Sequence, residues 1–193
     1  FELRCMNNNF TSARYAFIPN FITPDQAAQC ARELREAPTS PASDWDVAPN
    51  ASYVSDPTFG LEIMCDKNQL MNDIVGEYLI PTYCFSRIYR TDDTLPEHTD
   101  RAACEVSLTI HLDGDTDWLF GCFDNELQLN PGDAVLYLGH IVPHYRVGPY
   151  KGKEYLQLFL HYVRSRGCHR STYFDKIDME VNKQKLMEEL YGI

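Results

Sequence analysis

Hydrophobic positions recur with a helical period in the first part of the chain and with a period of two after it. In "FITPDQAAQCARELREAP", Ala27, Cys30, Ala31 and Leu34 fall on one face of a 3.6-residue helix. Thr23 stands at the N-cap, Pro24 at the first helical position, Gln26 where a capping box wants Glu or Gln, and Pro38 just past the end. A stretch rich in Pro, Ser, Asp and Asn, from Pro38 to Pro57, reads as a loop. In "DKNQLMNDIVGEYLIP", Leu70, Met71, Ile74, Val75, Tyr78 and Leu79 repeat with helical spacing, and Pro81 closes the element. Both stripes are core faces.

After Pro81 the alternation is that of strands. "YCFSRIYR", "CEVSLTIHL" and "EYLQLFLHYV" alternate, and shorter apolar runs, "DWLF", "ELQL" and "AVLYL", lie between them. Asp113-Gly114 and Asn130-Pro131-Gly132-Asp133 supply turn chemistry. About eight short strands fit between Tyr83 and Val163, which suggests a sandwich or small barrel. Asp175 to Tyr191 reads as a closing helix with Leu186, Leu190 and Tyr191 on its apolar side. The predicted fold class is α+β, one domain over residues 1–193. A helical part covers about 1–81, a barrel about 82–163, and a tail with a helix 164–193.

Composition narrows the function classes. With 193 residues, 44% hydrophobic and 12% aromatic, the chain has material for one sizeable core. The net charge of −11 disfavours a nucleic-acid partner, because phosphate backbones are repelled. No apolar run approaches the ~20 residues that span a bilayer, so no membrane partner is expected. The seven cysteines are scattered, odd in number and free of Cys-x-x-Cys pairs. That pattern predicts free thiols in a reducing, cytoplasmic setting rather than a disulfide framework or a cysteine zinc site. The first residue is Phe1, so the true start lies upstream or was processed, and no signal segment is visible from Phe1 onward. There is no Gly-x-Ser-x-Gly elbow, and no cysteine has a clear histidine partner.

Metal chemistry is the alternative that the residues favour. His98 and Asp100 are separated by one residue, and in extended chain such residues point to the same side. Further on, "LNPGDAVLYLGHIVPHYRVGPYKGKEYLQLFL" carries His140 and His144. Two histidines and one carboxylate on one face of an ion leave three positions open, the arrangement of non-haem Fe(II) oxygenases.

His98-x-Asp100, a histidine some forty residues later and a lysine nine residues beyond it resemble the 2-oxoglutarate/Fe(II)-dependent dioxygenases, in particular their prolyl 4-hydroxylase-like branch. The resemblance covers roughly Phe85 to Val163, and "FIPNFITPDQAAQCARELREA" is similar to that branch's leading strand and helix. It implies a double-stranded β-helix (a jelly-roll or cupin-like barrel) of about eight core strands. His98, Asp100 and His144 would be the iron ligands. His144 is preferred to His140 because Lys153 lies nine residues after it, where the branch places the cation for the distal carboxylate of 2-oxoglutarate; Lys151 is the competitor. Tyr89 would hydrogen-bond the same cosubstrate. Glu105, Ser107, Thr109 and His111 form a polar strand face, and Thr109 and His111 are in reach of it. The implied reaction is hydroxylation of a C–H bond by O2 with release of succinate and CO2, with Fe(II) as cofactor and ascorbate as reductant.

The substrate implied is a prolyl residue of a peptide or protein, or a related small molecule. Arg87, Arg101 and Arg146 are candidate contacts for a substrate carboxylate, and the Pro38–Pro57 loop with Trp45 and Tyr53 is a candidate lid. Two other readings stand beside this one. A cupin-type metalloenzyme that does not use 2-oxoglutarate would recruit Glu105. A non-catalytic β-barrel binding module would keep the residues without the reaction.

Overall fold

The computed structural model describes residue 10, residues 14–42 and residues 46–174. The expected helix over Asp175–Tyr191, Cys5 and Trp45 lie outside the described residues. The first strand, β1, is Tyr15–Ile18, and the first helix, α1, is Pro24–Glu36. Its capping box forms as the sequence predicts: Gln26 N–H donates to Thr23 Oγ1 at 3.1 Å, and Thr23 N–H donates to Gln26 Oε1 at 2.9 Å. Ala27, Cys30, Ala31 and Leu34 are all buried.

The second helix differs from the sequence expectation. α2 runs over Thr58–Val75, so it begins earlier and ends before Tyr78 and Leu79. Gly76 takes a left-handed conformation at φ 79 and donates to Asn72 O at 2.8 Å, which ends the helix. Tyr78 is 69% exposed, and Leu79 is the first residue of a strand. Pro81 lies inside that strand. It pairs with Tyr162 where the register shifts between His161 and Tyr162, and a bulge of this kind tolerates a missing N–H.

Among the described residues, ten strands form two antiparallel sheets. In the stretch expected as a loop, β2 (Ser40–Pro41) and β3 (Ser52–Ser55) pair with each other, and β3 pairs with β4 (Leu79–Arg90). There follow β5 (Val106–Gly114), β6 (Phe120–Cys122), β7 (Asn125–Leu127), β8 (Ala134–Tyr137), β9 (His144–Arg146) and β10 (Glu154–Arg164). The larger sheet has the order β1-β8-β5-β10-β4-β3-β2, and the smaller β7-β6-β9. Between Tyr83 and Val163 there are thus seven strands, while three strands of the N-terminal part join the larger sheet. This is the double-stranded β-helix architecture that the sequence predicts, with α1 packed on β5 and α2 on β4 and β10.

The alternation along each strand sorts the interior into two layers. Val106, Leu108, Ile110 and Leu112 of β5, with Leu156, Leu158 and Leu160 of β10, join the helices in one core. The opposite faces, Ser107, Thr109 and His111 on β5 and Gln157 and His161 on β10, are also buried, against the second sheet. None of the six described cysteines is in a disulfide. No described helix is long and apolar enough to cross a membrane.

The turn before β8 ties the helical layer to the barrel. Gly132, at φ +94, donates to His111 O at 2.8 Å and accepts from Ile22 N–H at 3.2 Å. A Cβ there would collide with Ile22 O, which is backbone and cannot swing away. Gly132→Ala should therefore cost about 2 kcal/mol or more in urea unfolding, from the left-handed backbone and the clash together. An unchanged midpoint would show that this turn is not tightly seated.

Candidate metal centre and its pocket

The ligand set is assembled by backbone pairing. His98 lies outside any long strand, yet it forms an antiparallel bridge with His144: His98 N–H donates to His144 O at 3.1 Å and His144 N–H to His98 O at 3.0 Å. Asp100 N–H donates to Gly139 O at 2.8 Å. Non-hydrogen-bonded contact alone would leave the side chains free to splay; these bonds fix all three Cα positions.

Second partners then aim the rings. His98 Nδ1 is 2.8 Å from Pro96 O, and His144 Nδ1 is 3.0 Å from Val142 O. A carbonyl can only accept, so each ring carries its proton on Nδ1 and presents a bare Nε2. Both Nε2 atoms face Asp100 Oδ1, at 3.7 Å from His98 and 3.5 Å from His144. The three donor atoms lie within 4.8 Å of one another, which one divalent cation fits. Burial raises the Asp100 carboxyl, but the neighbouring imidazoles, His144 first and then His161 and His98, outweigh it and hold it below the ordinary value. Burial and the His144 charge push His98 down. The site thus presents a carboxylate oxygen and two bare imidazole nitrogens, a donor set suited to Fe(II).

The centre opens on a cavity of about 520 Å³ between the two sheets. Tyr53, Tyr83, Phe85, Phe159 and His161 make its aromatic wall, with Tyr53 stacked on Phe85 at 5.0 Å. Arg87 and Arg101 also line it, lying over Phe85 and Tyr83 at 5.0 and 5.1 Å. Arg87 is paired to Asp46 at 2.6 Å. Thr99 is exposed in the same wall, and Tyr89 stands at its inner end, fully buried.

Beyond Tyr89 lies a buried polar group with unmet hydrogen bonds. Arg146 is 3% exposed and donates through Nη1 to Trp118 O at 2.5 Å, but its Nε and Nη2 have no hydrogen-bond partner. Its guanidinium rests on Tyr155 at 4.5 Å and on Trp118 and Phe120 at 5.3 Å each. Tyr89 OH, His111 Nε2 and Gln157 Oε1 are likewise buried without a partner. The charges of Arg87 and Arg146 reach Tyr89 OH, although burial still raises it to about 12. Unpaired donors on a buried cation are costly, and a guanidinium so placed fits an anion. Arg146 and His144 are two apart on β9 and face the same way, roughly 7 Å apart along the strand. A small dicarboxylate that chelates a metal at His144 fits that span.

The structure sorts the remaining candidates. His140 is turned away: its Nδ1 donates to Glu105 O at 3.2 Å and its ring packs edge-on against His169. Glu105 is spent on Arg164 at 2.7 Å, so the cupin-type ligand set does not assemble. His111 is buried against Tyr155, ring centroids 4.3 Å apart, within the Arg146 pocket rather than the open cavity. Lys153 is not brought to the site. It is exposed and precedes β10, because Asp115 accepts its backbone N–H at 2.8 Å and holds the segment outside the barrel. Lys151 is exposed too and pairs with Asp92 at 2.9 Å. Arg146 is the cation that the spacing argument passed over; its signal was the same strand parity as His144.

The buried imidazoles dictate a pH response. Burial drives His161 down from 6.5 to about 4, and it lowers His98 and His111 as well. A lowered folded value means that the unfolded chain binds more protons in acid. The stability concerned is complete above about pH 6.5 and is lost as the pH falls toward 4. Metal-free protein should be less stable to urea at pH 4.5 than at pH 7. His161→Phe should remove about 2–3 kcal/mol of that difference; equal slopes for the two proteins would refute it.

No family model matches the sequence, and no curated protein matches it. Solved structures do match in fold. A prolyl-4-hydroxylase from Pseudomonas putida is 20% identical with a TM-score of 0.67, over 86% of this chain and 100% of that one. A prolyl hydroxylase from Trichoplax adhaerens, in complex with a hypoxia inducible factor peptide fragment, is 10% identical with a TM-score of 0.69, over 88% and 91%. HygX from Streptomyces hygroscopicus, with nickel, 2-oxoglutarate and hygromycin B bound, is 14% identical with a TM-score of 0.69, over 84% and 88%. The chain has the fold of the 2-oxoglutarate/Fe(II) oxygenases, with prolyl hydroxylases among the structures that it resembles.

Proposed function

We propose that the protein is a 2-oxoglutarate- and O2-dependent Fe(II) hydroxylase acting on a prolyl residue of a peptide or protein, or on a related small molecule. The observation that carries the reading is the pairing of two unlike sites. A His98/Asp100/His144 donor set lines the cavity, and an Arg146 guanidinium with unmet donors lies beyond its inner end, two residues from His144 on β9. When bound, iron and 2-oxoglutarate supply the activation of O2 and release succinate and CO2. The chain's own residues do the rest. His98, Asp100 and His144 hold the cation on one face. Arg146 holds the distal carboxylate, Tyr89 OH and His111 Nε2 lie near it, and Trp118, Phe120 and Tyr155 keep water from the charge pair. This assigns Arg146, and not Lys153, to the cosubstrate.

The aromatic wall of Tyr53, Tyr83, Phe85 and Phe159 is where the substrate binds, with Asp46 and Val47 at its edge. That the Trichoplax neighbour is seen with a peptide and HygX with hygromycin B supports both substrate classes on this fold. Succinate release in the presence of Fe(II), ascorbate and 2-oxoglutarate, screened over proline-containing peptides and small molecules, tests the reading. Asp100→Ala should abolish it. Arg146→Gln should raise the KM for 2-oxoglutarate by about 100-fold or more, while Lys153→Ala should change it less than about twofold. Succinate release from no substrate, together with Fe(II)-independent ligand binding, would favour the non-catalytic barrel instead.

A further inference from the structure

Asp100 has two carboxylate oxygens with different surroundings. Oδ1 faces His98 and His144. Oδ2 lies 3.0 Å from Ser107 Oγ, and Ser107 Oγ is 3.3 Å from Cys104 O and 2.9 Å from His161 Nδ1. A serine has one proton to give. Asp100 Oδ2 and Cys104 O can only accept, so that proton serves them, and His161 Nδ1 must be the donor to Ser107 Oγ. The chain of bonds has one direction: His161 Nδ1–H to Ser107 Oγ–H to Asp100 Oδ2.

The surroundings hold this chain in place. The His161 ring is fixed between Tyr83, at 4.6 Å, and Phe159, at 6.4 Å and parallel. Gly139 packs against the junction: a Cβ there would stand 2.5 Å from Asp100 Oδ2, Cys104 O and Ser107 Oγ alike. The Gly139 carbonyl also holds Asp100 N–H.

We infer that Ser107 and His161 are positioning residues for the metal centre: they occupy Asp100 Oδ2 and so leave Oδ1 alone to bind the cation. The inference rests on the iron-centre reading, and it adds that the carboxylate is a one-oxygen ligand because of groups on β5 and β10. A carboxylate that lost this tether would rotate about its last bond and meet the two imidazoles in many orientations.

Co(II) binding, followed by its visible absorption in the full-length protein without cosubstrate, reads this directly. Ser107→Ala should weaken Co(II) binding by roughly 10- to 100-fold. His161→Phe keeps the aromatic packing and removes the donor, and should weaken binding in the same direction. His161→Asn restores an N–H donor and should recover most of the loss. Asp100→Ala is the control. If Asp100→Ala binds Co(II) as tightly as the parent, the metal-centre reading itself fails. If Asp100→Ala loses binding while Ser107→Ala and His161→Phe do not, the metal centre stands and the positioning inference is wrong. Should Ser107→Ala fail to fold, equal losses in His161→Phe and His161→Asn would also overturn it, because the donor would then be irrelevant.

Discussion

Two backbone hydrogen bonds between His98 and His144 are the constraint on which the centre depends. Each residue alone sits in a weak element, one in a loop and one at the start of a three-residue strand. Their mutual bridge fixes the separation of the side chains at a value that neither segment could set for itself. The rings are then oriented by carbonyls of their own segments, Pro96 and Val142, two residues upstream in each case. The geometry is thus preorganised by main-chain chemistry, which depends little on side-chain identity, and only the donor atoms are specified by residue type.

That arrangement requires an unusual interior. β5 and β10 are central strands, covered by helices on one face and by the smaller sheet on the other. A central strand of this kind is usually apolar throughout. Here one face carries Ser107, Thr109, His111, Gln157 and His161, all buried. Gln157 Nε2 donates to Thr109 Oγ1, and His161 is bonded to Ser107 Oγ, so part of this polar face pairs internally. Of what is left unmet among the described residues, atoms of Arg146, Tyr89, His111 and Gln157 make one group, while Asn68 Oδ1, Ser86 Oγ and Tyr162 OH are unpaired elsewhere. The unpaired donors of a buried cation are the costliest of these.

Much of this could be read in the sequence, and the failures have physical causes. The capping box of α1, the alternation of β5 and the His-x-Asp pair are local patterns whose structural meaning needs no distant partner. The end of α2 was misplaced because Tyr78 and Leu79 continue the helical period, while Gly76, an αL terminator, decides the matter. β2 and β3 could not be seen, since four or fewer residues of mixed polarity acquire strand character only by pairing with β4. The case of Lys153 is the most instructive. Its spacing from His144 and its place before an alternating run both suited an inward cation. Whether a residue at a strand's start faces inward depends on where pairing begins, and that is set by Asp115, 38 positions earlier, clasping the backbone outside the barrel.

Charge carries a related lesson. The net charge of −11 is a property of the whole chain and mostly of its surface, and it argues against polyanionic partners that must lie along that surface. It says little about an anion that is received inside. Among the described residues, Arg87 and Arg101 line the cavity and Arg146 lies beyond it, each stacked on aromatic rings. An aromatic face is a weak partner for a guanidinium: it supports the charge without competing for its in-plane N–H donors. Arg87 spends those donors on Asp46, whereas Arg146 keeps two nitrogens unpaired. An acidic exterior and a cationic interior are therefore compatible: charge summed over the surface disfavours extended polyanions, and it does not bear on a small anion placed against Arg146.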